Sequence, residues 1–209
     1  LSAKHVSFKY PRATHSALND ITVDIHKPSV IRITGNNGSG KTTLSHTLLG
    51  IIPHLIVGTF AGTVQWLDKN VSERDISLLG TYVFQDPRFN FQAMAISEAL
   101  DNAGPTTTSK DNPFYDLVSN LSLSNHRYPG QFSQGELKRI ALYRALLRNS
   151  PILILDEPFE FLDSHASDIL TSLIPNIKNS GRITIVCEQL APTRAVYDMH
   201  VHLANGVVV

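Results

Sequence analysis

Along the chain, short apolar runs of strand length alternate with stretches whose apolar residues recur at helical spacing. Strands are predicted at Ile21 to Ile25, Val30 to Thr34, Thr63 to Leu67, Tyr82 to Phe84, Ile152 to Leu155 and Ile183 to Cys187, and the main helices at Lys41 to Leu49 and Gln134 to Arg148. The runs Ile152 to Leu155 and Ile183 to Cys187 are almost continuously apolar, as central strands covered on both faces should be. This order predicts an α/β fold with a partly parallel sheet. Between Gln92 and Ser133 the pattern changes. Two shorter helical pieces, Ile96 to Asn102 and Phe114 to Leu121, flank the turn-rich segment Gly104 to Pro113. Residues from about Gln92 to Asn149 are therefore expected to form a small helical lobe inserted into the sheet. No internal repeat or heptad pattern is visible.

Composition narrows this picture. With 209 residues, 42% of them hydrophobic, the chain can bury one sizeable core and is short for two. Lys+Arg and Asp+Glu both number 18, so the neutral chain has no broad basic face for nucleic acid or anionic lipid. No apolar stretch approaches the roughly 18 residues needed to span a bilayer, and the start lacks the order of a signal peptide, so a cytosolic chain is expected. The single cysteine, Cys187, cannot form an internal disulfide and is expected to pack in the core. The histidines, among them His5, His15 and His200, show no paired metal spacing and are expected at the surface. A chain opening on Leu1 suggests a piece of a longer polypeptide. Its end at Val209, soon after the last core strand, leads us to expect no C-terminal regulatory extension.

The chemistry begins at Gly35-Asn36-Asn37-Gly38-Ser39-Gly40-Lys41-Thr42, which fits G-x-x-x-x-G-K-[ST] at every defined position, between a predicted strand and a predicted helix that continues through Thr43. The glycines let successive N–H groups converge on a phosphate, where the helix N-terminus adds partial positive charge. Lys41 is expected to reach the β- and γ-phosphates, and the Thr42 hydroxyl to ligate Mg²⁺. More than a hundred residues later, the apolar strand Ile152 to Leu155 runs straight into Asp156 and Glu157. Alone this reads equally as a solvated acidic turn; beside a phosphate loop, Asp156 is expected to hold Mg²⁺ and Glu157 to orient the attacking water. Phe132-Ser133-Gln134-Gly135-Glu136 opens a helix, and by itself is explained by an S-x-x-E capping box.

Taken in order, these motifs resemble the nucleotide-binding subunit of ATP-binding cassette (ABC) transporters, over essentially the whole chain. The resemblance implies a P-loop NTPase (RecA-like) core, about 1–91 and 150–209, with a mixed, mostly parallel sheet, a small antiparallel β region and the inserted lobe at 92–149. It further implies ATP and Mg²⁺ as cofactors, a second such subunit, and an integral membrane partner holding the protein at the inner face of the membrane without direct insertion. Ser133 to Glu136 is similar to the family signature, whose serine and glycine amides close over the γ-phosphate of the opposite subunit. Gln85 matches the glutamine that touches Mg²⁺ and senses the membrane partner, Tyr10 the aromatic that stacks on adenine, and Asp163 the acid that reaches across the dimer. The stretches Leu49 to Leu55, Gly62 to Val64 and Phe84 to Pro87 look most like energy-coupling-factor ATPases.

Three departures qualify the resemblance. Gln134 stands at a signature glycine, and Glu136 at a glutamine, although a capping box gives its carboxylate a way to point away. Gln189 takes the place of a histidine that contacts the γ-phosphate, and it cannot carry positive charge or shuttle a proton. Slow hydrolysis is expected on that account, and Gln189 motivates one alternative, a weakly hydrolysing partner in a heterodimer; a soluble ABC protein outside transport is a separate alternative.

Overall fold

The computed structural model describes residues 1–67, 69–72, 79–91, 95–103, 112–121, 123, 127–189 and 197–209. Two sheets form its frame. A four-stranded antiparallel sheet has the order β2 (Leu18–Asp24), β1 (Ser2–Lys9), β4 (Thr59–Trp66), β5 (Lys69–Asn70). A six-stranded sheet has the order β10 (Val207–Val208), β9 (Met199–Ala204), β3 (Ser29–Thr34), β8 (Ile183–Glu188), β7 (Ile152–Asp156), β6 (Gly80–Val83). All its pairs are parallel except β10 with β9.

The near-continuous apolar strands are explained by their two covered faces. Val30, Val83, Leu153, Leu155 and Val186 belong to a core shared with α3 (Ile96–Asp101), α4 (Gln134–Leu147) and α5 (Ser164–Asn179). The alternate positions Ile31, Ile33, Ile152, Ile154, Ile185 and Cys187 face a second core with α1 (Lys41–Leu48) and the antiparallel sheet. Cys187 is fully buried, as expected.

Some elements differ from the sequence reading. The helical piece expected at Phe114 to Leu121 is only a single 3₁₀ turn, Tyr115–Leu117. Strand β4 starts at Thr59, ahead of the expected Thr63. Strands β1 and β9 and helix α5 were not foreseen. The expected lobe start at Gln92, and residues 104–111 of the polar interruption, lie outside the described residues. A short helical turn, α2 (Ile51–His54), completes the first half of the chain.

Parallel pairing aligns the C-terminal ends of β3, β8, β7 and β6 at one edge: Thr34 lies beside Glu188, Asp156 beside Cys187 and Leu155 beside Val83. In open parallel sheets this edge is where ligands bind.

Candidate phosphate and metal site

The loop after β3 makes its turn through Gly35, Gly38 and Gly40, all at positive φ. At Gly40, φ 108°, a Cβ would also lie 2.7 Å from the Ala17 carbonyl, so only glycine fits there. Helix α1 begins at the next residue, Lys41. A cavity of about 490 Å³ opens above the loop, lined by Tyr10, Lys41, Thr42, Gln85, Asp156 and Glu157 among others. The Thr43 hydroxyl lies 3.2 Å from that of Tyr10, whose ring packs edge-on against Phe8 at 4.8 Å.

Lys41 is buried, its Nζ donating to the carbonyls of Gly35 at 2.9 Å and Asn36 at 3.4 Å. It also forms an ion pair with Glu157 Oε1 at 3.5 Å. Thr42 Oγ1 donates to Asp156 Oδ2 at 3.0 Å, joining positions 114 apart in sequence. Glu157 adopts the left-handed region, φ 44°, and its N–H donates to the Cys187 carbonyl at 2.8 Å. A non-glycine residue held there costs on the order of 1 kcal/mol, and such strain is concentrated at functional positions. Burial pushes the Glu157 carboxyl above the usual carboxylate range, opposed by the Lys41 ammonium.

Gln189 meets the same site. Its N–H donates to Glu157 Oε2 at 3.3 Å, and its Nε2 donates to Asn37 Oδ1 in the phosphate loop. Gln85 is exposed at the cavity wall, two residues past the end of β6.

The residues around Ser133 lie elsewhere. Ser133 N-caps α4, and Glu136 folds back to complete the capping box: its Oε2 accepts from Ser133 N and Oγ, each at 2.8 Å. The Ser133 N–H and hydroxyl hold the Glu136 carboxyl below its usual range. A Cβ at Gly135 would lie 2.7 Å from the Phe161 carbonyl, so this helix start packs directly on the loop after Glu157. Ser133, Gly135, Glu136 and Asp163 line a separate cavity of about 250 Å³, while Gln134 is exposed. Asp163 Oδ1 accepts from the Ala166 N–H at 2.7 Å and caps α5. The chain thus brings Tyr10, the phosphate loop, Gln85, Asp156, Glu157 and Gln189 together, and keeps Ser133 to Glu136 and Asp163 apart from them.

Two residues at this site were missed in the sequence. Tyr82, on β6, donates its hydroxyl to Asp156 Oδ2 at 2.8 Å. Lys138, on the buried side of α4, donates to the carbonyls of Phe84, Gln85 and Asp156 at 3.0, 3.2 and 3.1 Å. Burial pushes its ammonium down to about 8, against the pull of Asp156 and other carboxylates. A tyrosine in an apolar strand and a lysine amid apolar helix positions were the available signals.

The histidine expectation needs correction at His46. Its ring lies 5.0 Å from that of Tyr82, both ring nitrogens are buried without a hydrogen bond, and burial pushes it below its usual range. His5, His15 and His200 are exposed, and His200 Nε2 lies 2.7 Å from the Thr34 hydroxyl. Among the described residues no cluster of three or more His, Cys, Asp or Glu could hold a metal ion.

The ABC transporter family profile matches residues 18–160. A putative ABC transporter ATP-binding protein of Lactiplantibacillus plantarum is 32% identical over 197 residues, 89% of this chain and 34% of that protein. The chain therefore spans about a third of that relative's length. The energy-coupling factor transporter ATP-binding protein EcfA1 of Lacticaseibacillus paracasei is 28% identical over 196 residues, 89% of this chain and 68% of the relative. Among solved structures, a dimeric ATP-binding cassette in a post-hydrolysis state with ADP and Pi superposes with TM-score 0.79 at 22% identity, covering 99% of this chain and 95% of that one. Phosphate loop, paired acids and a profile match over residues 18–160 agree, and the chain belongs to the ABC transporter ATP-binding family.

Proposed function

We propose that the chain is an ATP-binding and hydrolysing cassette that closes with a second cassette around MgATP and passes that closure to a membrane-spanning partner. The observation that carries this reading is the convergence of Lys41, Thr42, Asp156 and Glu157 on one cavity, from loops far apart in sequence. The donor set suits Mg²⁺, a hard cation that takes oxygen ligands: the Asp156 carboxylate and Thr42 hydroxyl lie 3.0 Å apart, with Gln85 on the same wall. When bound, Mg²⁺ would neutralise charge developing on the phosphates.

The chain's own residues supply the rest. Tyr10 offers a flat ring for adenine, and Thr43 and the loop N–H groups face the triphosphate. Phosphate must draw Lys41 away from Glu157, which leaves the Glu157 carboxylate free to accept a proton from water. Serine and glycine amides at the start of α4 would meet the nucleotide of the opposite cassette, with Glu136 releasing the Ser133 N–H that it now holds; their separate cavity is consistent with that role. Asp163 reaches the same interface from the cap of α5. Among the described residues no helix is long and apolar enough to cross a membrane; in this reading the cassette sits at the inner face on its membrane partner. Likeness to EcfA1, with the stretches Leu49 to Leu55 and Phe84 to Pro87, favours the energy-coupling-factor branch.

Phosphate release from ATP, dependent on Mg²⁺ and accompanied by nucleotide-dependent association in light scattering, is the expected result. Transfer of phosphate to an added metabolite, with no association, would overturn the reading.

Gln189 favours a second reading, a slow cassette paired with a better-equipped one, because it occupies the loop contact through a neutral amide. Changing Gln189→His should raise turnover by about tenfold or more, toward the range ascribed to a positioned acid–base group. Unchanged turnover in a dimer shown to form would count against it.

A further inference from the structure

Tyr82 is buried, and its hydroxyl makes two contacts: it donates to Asp156 Oδ2 at 2.8 Å and lies 3.0 Å from Ser45 Oγ. Ser45 Oγ has one proton and two acceptors within reach, the Tyr82 oxygen and the Thr42 carbonyl at 2.9 Å, so with the phenol proton on Asp156 it is the donor in any hydrogen bond to the tyrosine. The ring packs against Phe84 at 4.7 Å and His46 at 5.0 Å. A single proton on the phenol can serve only one acceptor, and the shorter contact to the carboxylate takes it.

The Asp156 oxygen that Tyr82 holds is the one that Thr42 also holds. On the reading above, the Thr42 hydroxyl turns to the metal when MgATP binds. Tyr82 has no such second task, and its hydrogen bond to Oδ2 would remain to hold the carboxylate, which would ligate the ion. We propose that Tyr82 is a positioning residue of the magnesium site, orienting Asp156 through its hydroxyl, with Ser45, His46 and Phe84 fixing the ring. The inference rests on Asp156 being a metal ligand. Outer-shell partners of ligating carboxylates contribute about 10- to 100-fold in metal affinity.

The test uses Mn²⁺ as the probe, titrated into the protein with saturating ADP and followed by electron paramagnetic resonance. Alongside it, binding of a fluorescent ATP analogue is measured in EDTA. Tyr82→Phe keeps the ring and its packing; it should weaken Mn²⁺ by about 10- to 100-fold and leave metal-free nucleotide binding within about twofold. Ser45→Ala, which removes the group behind Tyr82, should shift Mn²⁺ affinity the same way by a smaller factor, and it decides the matter if Tyr82→Phe does not fold. Unchanged Mn²⁺ affinity in the folded variants overturns the proposal, as does equal loss of nucleotide binding in EDTA. Asp156→Asn separates the two levels: if it too leaves Mn²⁺ binding unchanged, the metal-site reading itself fails.

Discussion

Replacing Glu157 by glutamine is expected to lower steady-state ATP hydrolysis by about 10²- to 10⁴-fold, the contribution of a positioned general base. The variant should also bind ATP more tightly. In the nucleotide-free protein the Glu157 carboxylate is an ion-pair partner of Lys41 at 3.5 Å. Phosphate must displace it, and a second negative charge then stays close to the γ-phosphate. The amide removes both the competitor and the repulsion, while the Gln189 N–H contact retains an acceptor. The stalled protein should therefore accumulate as an ATP-bound dimer, visible by light scattering with MgATP. Phosphate release at the wild-type rate would place the base elsewhere.

Changing Lys138→Met is expected to cost about 3 kcal/mol of stability. Methionine preserves most of the stem's volume and relieves the burial of a charge, which by itself favours the variant. It leaves three carbonyls, of Phe84, Gln85 and Asp156, without the donor they now share. The Asp156 bond is buried and those to Phe84 and Gln85 are part-buried; an orphaned acceptor kept from water costs about 1–3 kcal/mol, and together the three outweigh the relief. Such a loss is a large part of a typical 5–15 kcal/mol total and should lower the melting temperature by about 10 °C. Because the ammonium ties the ends of β6 and β7 to α4, the loss should appear first as faster amide exchange near Gln85 and Asp156. A melting temperature within about 2 °C of wild type would show that the carbonyls find other donors.

Much of the site was legible because its chemistry is local. A phosphate loop needs glycine, lysine and a hydroxyl at fixed offsets, and an acid pair at a strand end needs only the strand before it. The foreseen capping box formed for the same reason: Ser133 and Glu136 meet within one helical turn. Where local rules were interrupted, the pattern misled. In β1, Ala3, Val6 and Phe8 all face the core, but a register shift between Ala3 and Val6, with His5 at φ 52°, breaks the two-residue period. Helix α5 buries Ala166, Leu170, Leu173, Ile174 and Ile177 on one stripe, yet carries Pro175. Pro175 lies on the exposed side, where water can satisfy the carbonyl it leaves free.

By itself the sequence determined the phosphate loop, the acids at the end of β7, and which strands are covered on both faces, since each depends on neighbours a few residues away. Only the tertiary structure decided that Tyr82 and Thr42 share one Asp156 oxygen, that Lys138 joins three chain segments, and that Lys41 rests against Glu157. Those contacts arise from parallel strand register and helix packing, which bring together residues 18 to 116 positions apart in sequence. No periodicity in a single segment carries that distance.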